Sequence, residues 1–79
     1  MVTKQVRIYT RRGCHLCERV EDLVDSARSL AAFDLEIVDV DSDEALRIQY
    51  GQVVPVVAID GQDLFGHAMD LDAFVERLK

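Results

Sequence analysis

Cys14-His15-Leu16-Cys17 constrains this chain more than any other stretch. These are its only two cysteines, and they sit three apart between a strand-like run and a long helical pattern. On a regular helix, residues three apart hold their Cβ atoms about 5–6 Å from each other. A disulfide needs about 3.5–4.5 Å. The gap closes if Cys14 sits at the helix cap, just outside regular geometry, with Cys17 in the first turn. Gly13 eases that approach, because glycine accepts almost any backbone conformation. Cys14 would then face unpaired backbone N–H groups and the positive end of the helix dipole, and both favour thiolate over thiol. The thiolate is the reactive form. Cys14 is therefore the expected nucleophile, exposed. Cys17, more buried, is expected to attack the resulting mixed disulfide and release the reduced product.

Two other readings of the pair stay open. It could be half of a structural zinc site, which needs four ligands. Cys14, Cys17, His15 and His67 would have to supply all of them, and helical geometry points His15 away from the pair. It could also be two unreactive thiols. Next to a βαβ pattern, C-x-x-C reads first as a redox motif. No metal ligand is assigned.

Composition narrows the class. A chain of 79 residues is read as one domain, 1–79, and its apolar fraction of 49% suffices for one layered core. Residues 1–10 lack the apolar segment of a signal peptide. The longest apolar run, 53–59, contains Pro55 and is far short of the roughly 20 residues a membrane span needs. A cytoplasmic, reducing location is expected, where paired cysteines are more often catalytic than stapling.

Net charge is −6, which argues against nucleic acid as a partner. Its distribution is uneven: residues 1–19 hold five basic side chains and one acidic, and residues 20–79 hold four basic and fourteen acidic. Arg11 and Arg12 adjoin the cysteine pair and are candidates to tune it and to attract anionic substrates. Lys4, Arg7 and Arg19 read as solvated side chains. A protonated His15 beside Cys14 would stabilise the thiolate, and His67 is a candidate to line the same groove.

The rest of the chain alternates strands and helices. Val6-Arg7-Ile8-Tyr9 begins a strand with Val6 and Ile8 on one face and Arg7 and Tyr9 on the other. Residues 14–32 read as an amphipathic helix whose apolar face is Leu16, Val20, Leu23, Val24, Ala27, Leu30 and Ala31. Phe33-Asp34 would end it. Residues 35–40 form a second strand, parallel to the first through a βαβ crossover. Asp41 with Glu44 resembles a capping box for a short helix over 45–50 that Gly51 closes. Residues 54–59, the turn Asp60-Gly61 and residues 62–65 form a hairpin. Pro55 can only open a strand or lie on an edge. Asp70 caps a last helix over 71–79.

In this order the pieces resemble the glutaredoxin branch of the thioredoxin superfamily. The likeness is carried by Tyr9-Thr10-Arg11-Arg12-Gly13-Cys14-His15-Leu16-Cys17, Val54-Pro55, Asp60-Gly61, and the loop with Gly66 and Asp70. It departs where His15 and Leu16 replace a proline and an aromatic residue, and where Ile8 stands at the buried acid of thioredoxin. The second loop glycine is His67, and Met69 replaces a polar residue. The resemblance implies an α/β thioredoxin-like fold of glutaredoxin type, a four-stranded mixed sheet flanked by three helices in the order β-α-β-α-β-β-α. It implies thiol–disulfide exchange, with glutathione as co-substrate and no tightly bound cofactor. It also implies a cis peptide at Pro55. Arg11 would meet a substrate carboxylate, the Val54 backbone would pair with substrate peptide, and Gly66, His67 and Asp70 would complete the binding site. The expected partners are a disulfide-containing protein or glutathione, with a thioredoxin-reductase-type donor as a further candidate and no membrane contact. A monomer is expected. An iron–sulfur or metal carrier, or a redox-inert binding module on the same fold, are the competing functions.

Overall fold

The computed structural model describes residues 3–66 and 69–78. The elements are β1 (Lys4–Thr10), α1 (His15–Ala27), β2 (Phe33–Asp39), a 3-10 turn (Val40–Ser42), α2 (Glu44–Tyr50), β3 (Val56–Ile59), β4 (Gln62–Phe65) and α3 (Leu71–Leu78). The sheet runs β2-β1-β3-β4. β1 is parallel to β2 and antiparallel to β3, and β4 returns antiparallel to β3. This is the element order read from the residue pattern, and the four-stranded mixed sheet with three helices that the family resemblance implies.

Strand alternation sorts the core into two layers. Val6 and Ile8 of β1, with Val57 and Ile59 of β3, meet Val20, Val24 and Ala27 of α1 and Phe74 of α3. Phe74 is fully enclosed and takes Phe33 and Phe65 edge-on, with ring centroids 5.7 and 6.1 Å away. The other sheet face carries Tyr9, Val56 and Ala58, covered by Val40 and by Tyr50 of α2. Tyr9 and Tyr50 stack with centroids 4.1 Å apart. The Tyr50 hydroxyl donates to Asp63 at 3.0 Å. Burial first, then that hydrogen bond, pushes the Tyr50 phenol up to about 12. α2 is thereby anchored, and with it the chain leading to Pro55.

Five local expectations need correction. α1 ends at Ala27, not near residue 32. Arg28 and Ser29 turn back with i→i+3 hydrogen bonds, and the Ser29 hydroxyl donates to the Ser26 carbonyl. Phe33 does not end a helix; it opens β2, because its ring is buried against Phe74 under the Arg28 guanidinium. Leu30, at 61% exposed, and Leu16, at 45%, are therefore not part of the apolar face. Val40 lies outside β2, in the 3-10 turn. The N-cap of α2 is Asp43, whose carboxylate accepts from the Ala45 and Leu46 N–H groups, and not Asp41, whose carboxylate is taken by Arg11.

The hairpin turn has Asp60 at φ 51° and Gly61 at φ 86°, the positive pair a type I′ turn requires. Pro55 precedes β3, and the Val54–Pro55 peptide is cis. α3 begins as its sequence suggests: Asp70 Oδ1 accepts from the Asp72 N–H at 3.2 Å. Lys79 lies outside the described residues.

Candidate functional site

The site forms where β1 runs into α1. Thr10, the last residue of β1, is buried, and its hydroxyl donates to the Val38 carbonyl of β2. The next four residues make a turn closed by the Cys14 N–H donating to the Arg11 carbonyl at 3.2 Å. Gly13 takes φ 79° there, a conformation that penalises any side chain. The turn delivers Cys14 in extended geometry as the N-cap of α1. Its carbonyl accepts the first helical hydrogen bond, from Glu18, and its Sγ accepts from the Cys17 N–H at 3.1 Å. A sulfur in the cap position thus occupies the place where side-chain oxygens usually satisfy free N–H groups.

Cys14 and Cys17 are joined as a disulfide, with Cα atoms 5.2 Å apart. Their exposures differ. Cys14 is half-buried at the surface, and Cys17 is only 2% exposed on the apolar face of α1 with Val20 and Val24. Thr10, Arg11, Arg12, Gly13, Cys14, Cys17, Glu18, Glu21 and Asp39 line one shallow groove.

The predicted tuning residues occupy distinct settings. Arg11 lines the groove, but its guanidinium is engaged: Nε donates to Asp41 at 3.0 Å and Nη1 to the Gly51 carbonyl at 3.1 Å. It ties the cysteine turn to the segment that leads into Pro55. A Cβ at Gly51 would collide with the Arg47 carbonyl oxygen, so glycine is required there for space; its φ of −56° is ordinary. Arg12 is exposed on the groove and has no ion-pair or hydrogen-bond partner among the described residues. The His15 imidazole is 93% exposed, with Nδ1 3.6 Å from the Glu18 carboxylate.

The predicted binding residues divide similarly. Val54 is half-buried and Pro55 buried. The Val54 N–H already donates to the Tyr50 carbonyl at 3.0 Å, so a peptide laid along it would meet the Val54 carbonyl alone. Gly66 is exposed, and the Asp70 carboxylate serves as the cap of α3. His67 lies outside the described residues.

Glu21 belongs to the groove and was not among the predicted site residues. Its charge and its place on a helix assign it to the solvated side. Yet it is half-buried, and burial first, then the neighbouring Glu18 and Asp22 carboxylates, raise its pKa above the usual glutamate range. The available signal is its spacing, four residues beyond Cys17. Asp41 escaped for another reason: at a helix start an acidic residue reads as a cap before it reads as an arginine partner. Away from the groove, hydrogen bonds to Tyr9 and Glu36 raise the Arg7 pKa.

A parallel β1-α1-β2 unit, an antiparallel β3-β4 hairpin entered through a cis proline, and a bonded C-x-x-C pair at the start of α1 define a thioredoxin-like protein with a redox-capable cysteine pair. Within that class, residues 5–79 match the profile of the glutaredoxin-like domain family (DUF836), and the chain belongs to it. It is similar to Uncharacterized protein Rv0508 of Mycobacterium tuberculosis, 35% identical over 68 residues that cover 80% of this chain and 70% of that one. Among solved structures it resembles protein Ne2328 from Nitrosomonas europaea, with TM-score 0.84 and 27% identity, covering 100% of this chain and 95% of that one. It also resembles XcR50 from X. campestris, with TM-score 0.77 and 31% identity, covering 92% and 93%. A mutant thioredoxin from Halobacterium salinarum shares the fold at TM-score 0.71 and 22% identity, over 95% of this chain and 71% of that one. Among the described residues, no helix is long and apolar enough to cross a membrane.

Proposed function

We propose that this protein is a thiol–disulfide oxidoreductase that cycles Cys14 and Cys17 between dithiol and disulfide, reducing protein disulfides or glutathione mixed disulfides. The observation that carries this reading is the asymmetry of the pair: one sulfur half-exposed at a helix cap under a backbone N–H, the other enclosed within bonding distance. In the reduced protein, the Cys14 thiolate attacks a substrate disulfide and forms an S–S bond to one half. The other half leaves as a thiolate and takes a proton from water. Cys17 then attacks Cys14 Sγ, closing the disulfide and expelling the second half. Two electrons pass from the cysteine pair to the substrate. An external thiol, glutathione or the dithiol of a reductase, returns the pair to its reduced state.

Arg12 carries the groove's unpaired positive charge and suits an anionic substrate, with Arg11 sharing its guanidinium between Asp41 and that substrate. In this reading Val54 and Pro55 would offer the substrate a carbonyl and an apolar ring, and Gly66, His67 and Asp70 would contribute to its binding. The cytoplasm suits a pair that must be re-reduced each turn.

The test is turnover of a glutathione mixed disulfide and of a protein disulfide, with glutathione or a thioredoxin reductase as donor. Turnover with at least one donor, abolished by Cys14→Ser, is the expected result. Full activity in Cys14→Ser, or none in the unaltered protein with either donor, would overturn the proposal.

A further inference from the structure

The release step poses a problem that the capture step does not. Cys17 attacks as a thiolate, but the residue is only 2% exposed and shares the buried face of α1 with Val20, Val24 and Ala27. Burial in apolar surroundings opposes ionisation of a thiol, and solvent has little access to take the proton. Ile8, fully buried on β1, contributes no acid from the sheet. Any base must come from another element.

Glu21 is one helical turn beyond Cys17. Residues four apart are neighbours on a helix, with Cβ atoms about 5–6 Å apart. Helical side chains also lean toward the N-terminus, so the Glu21 side chain lies over the turn that holds Cys17. Both residues line the same groove. Glu21 is half-buried, and it makes no hydrogen bond or ion pair among the described residues. A carboxylate kept from full solvation and given no partner does nothing for the fold. The groups around it are known: Glu18 and Asp22 on α1, Asp39 from β2, and Arg11 and Arg12 from the β1–α1 turn. Asp39 is occupied in capping the 3-10 turn, and Arg11 is held by Asp41.

We infer that Glu21 is the general base of the release step, taking the proton from Cys17 Sγ as that sulfur attacks the mixed disulfide at Cys14. The S–H proton passes to the Glu21 carboxylate. The Cys17 electron pair forms the bond to Cys14 Sγ, and the bond from Cys14 to the substrate sulfur breaks. The departing thiolate recovers a proton from the Glu21 carboxyl. No further oxidant or reductant enters. This inference rests on the oxidoreductase reading above and extends it. The burial that raises the carboxyl's pKa also makes it the stronger base.

Stopped-flow reaction of the reduced protein with dithiobis(nitrobenzoate) separates the two steps, because the first equivalent of coloured thiolate reports capture at Cys14 and the second reports release by Cys17. In Glu21→Gln, the first phase is expected within about two-fold of the unaltered protein and the second slowed at least tenfold near neutral pH, a modest share of the 10²–10⁴ that general bases supply. The deficit is expected to narrow as pH rises above the free-thiol value of about 8.5, as hydroxide begins to ionise the thiol directly. Glu21→Asp is expected to restore part of the rate. Absence of the first phase in both proteins would sink the oxidoreductase reading itself. A normal first phase with an unchanged second phase in Glu21→Gln overturns the role of Glu21 alone. So does a slowing that is equal at every pH, which marks a packing effect.

Discussion

Replacing Glu21 by glutamine should separate its catalytic from its energetic effect. Its pKa in the fold is raised, chiefly by burial. A carboxyl shifted this way favours the folded state only while protonated, and that contribution is lost as pH rises through the folded value. At neutral pH its charge is therefore a small burden. Glu21→Gln is expected to melt at a higher temperature than the unaltered protein at pH 7, with the difference shrinking through about pH 4 and vanishing toward about pH 3, where the carboxyl is protonated in both states. Thermal melts at the two ends of that range check this, and a lower melting temperature at pH 7 would mean that the carboxylate stabilises the fold. The cysteine pair was legible at this scale because its spacing permits few geometries. Glu21 was not, because its setting depends on β2 and the cysteine turn, which lie far from it in sequence.

At the scale of elements, the caps decide boundaries. Asp41, Asp43 and Glu44 crowd one stretch, and any of them could begin a helix by composition. The structure gives Asp43 to the α2 N-cap and Asp41 to Arg11. Asp43→Ala is expected to cost about 1 kcal/mol, a fall in melting temperature of about 4–8 °C for a domain of this size. Asp41→Ala removes a partly exposed ion pair and is expected to cost less than that. Equal losses would contradict the division of roles. The hairpin and α3 were legible because Asp60-Gly61 and Asp70 act within their own segments. The end of α1 was not. Residues 28–32 contain no proline or glycine to stop a helix, and what stops it is the burial of Phe33 against Phe74, a contact with another element.

Across the whole molecule, two thin core layers hold a site that projects from one end of the sheet. Phe74 closes the larger layer, where it meets rings from β2 and β4. Phe74→Ala is expected to cost about 3–5 kcal/mol, a large share of the stability of so small a domain. Denaturant titration should show either a much lower midpoint or no folded baseline; a loss under about 1 kcal/mol would mean that α3 is dispensable. Fold class was legible at this scale because strand and helix periods alternate in an order with few solutions. Which apolar residues stay outside was not: Leu16, Leu30 and Ile37 fit their local patterns, yet they are half-exposed or more where no neighbouring element covers them. All of this scaffold serves one electrostatic claim, that the cap of α1 keeps the Cys14 sulfur anionic. The rate of Cys14 alkylation against pH, in reduced protein carrying Cys17→Ser, measures that directly. A midpoint clearly below the free-thiol value of about 8.5 is the expected result, and a midpoint at or above it would contradict the claim.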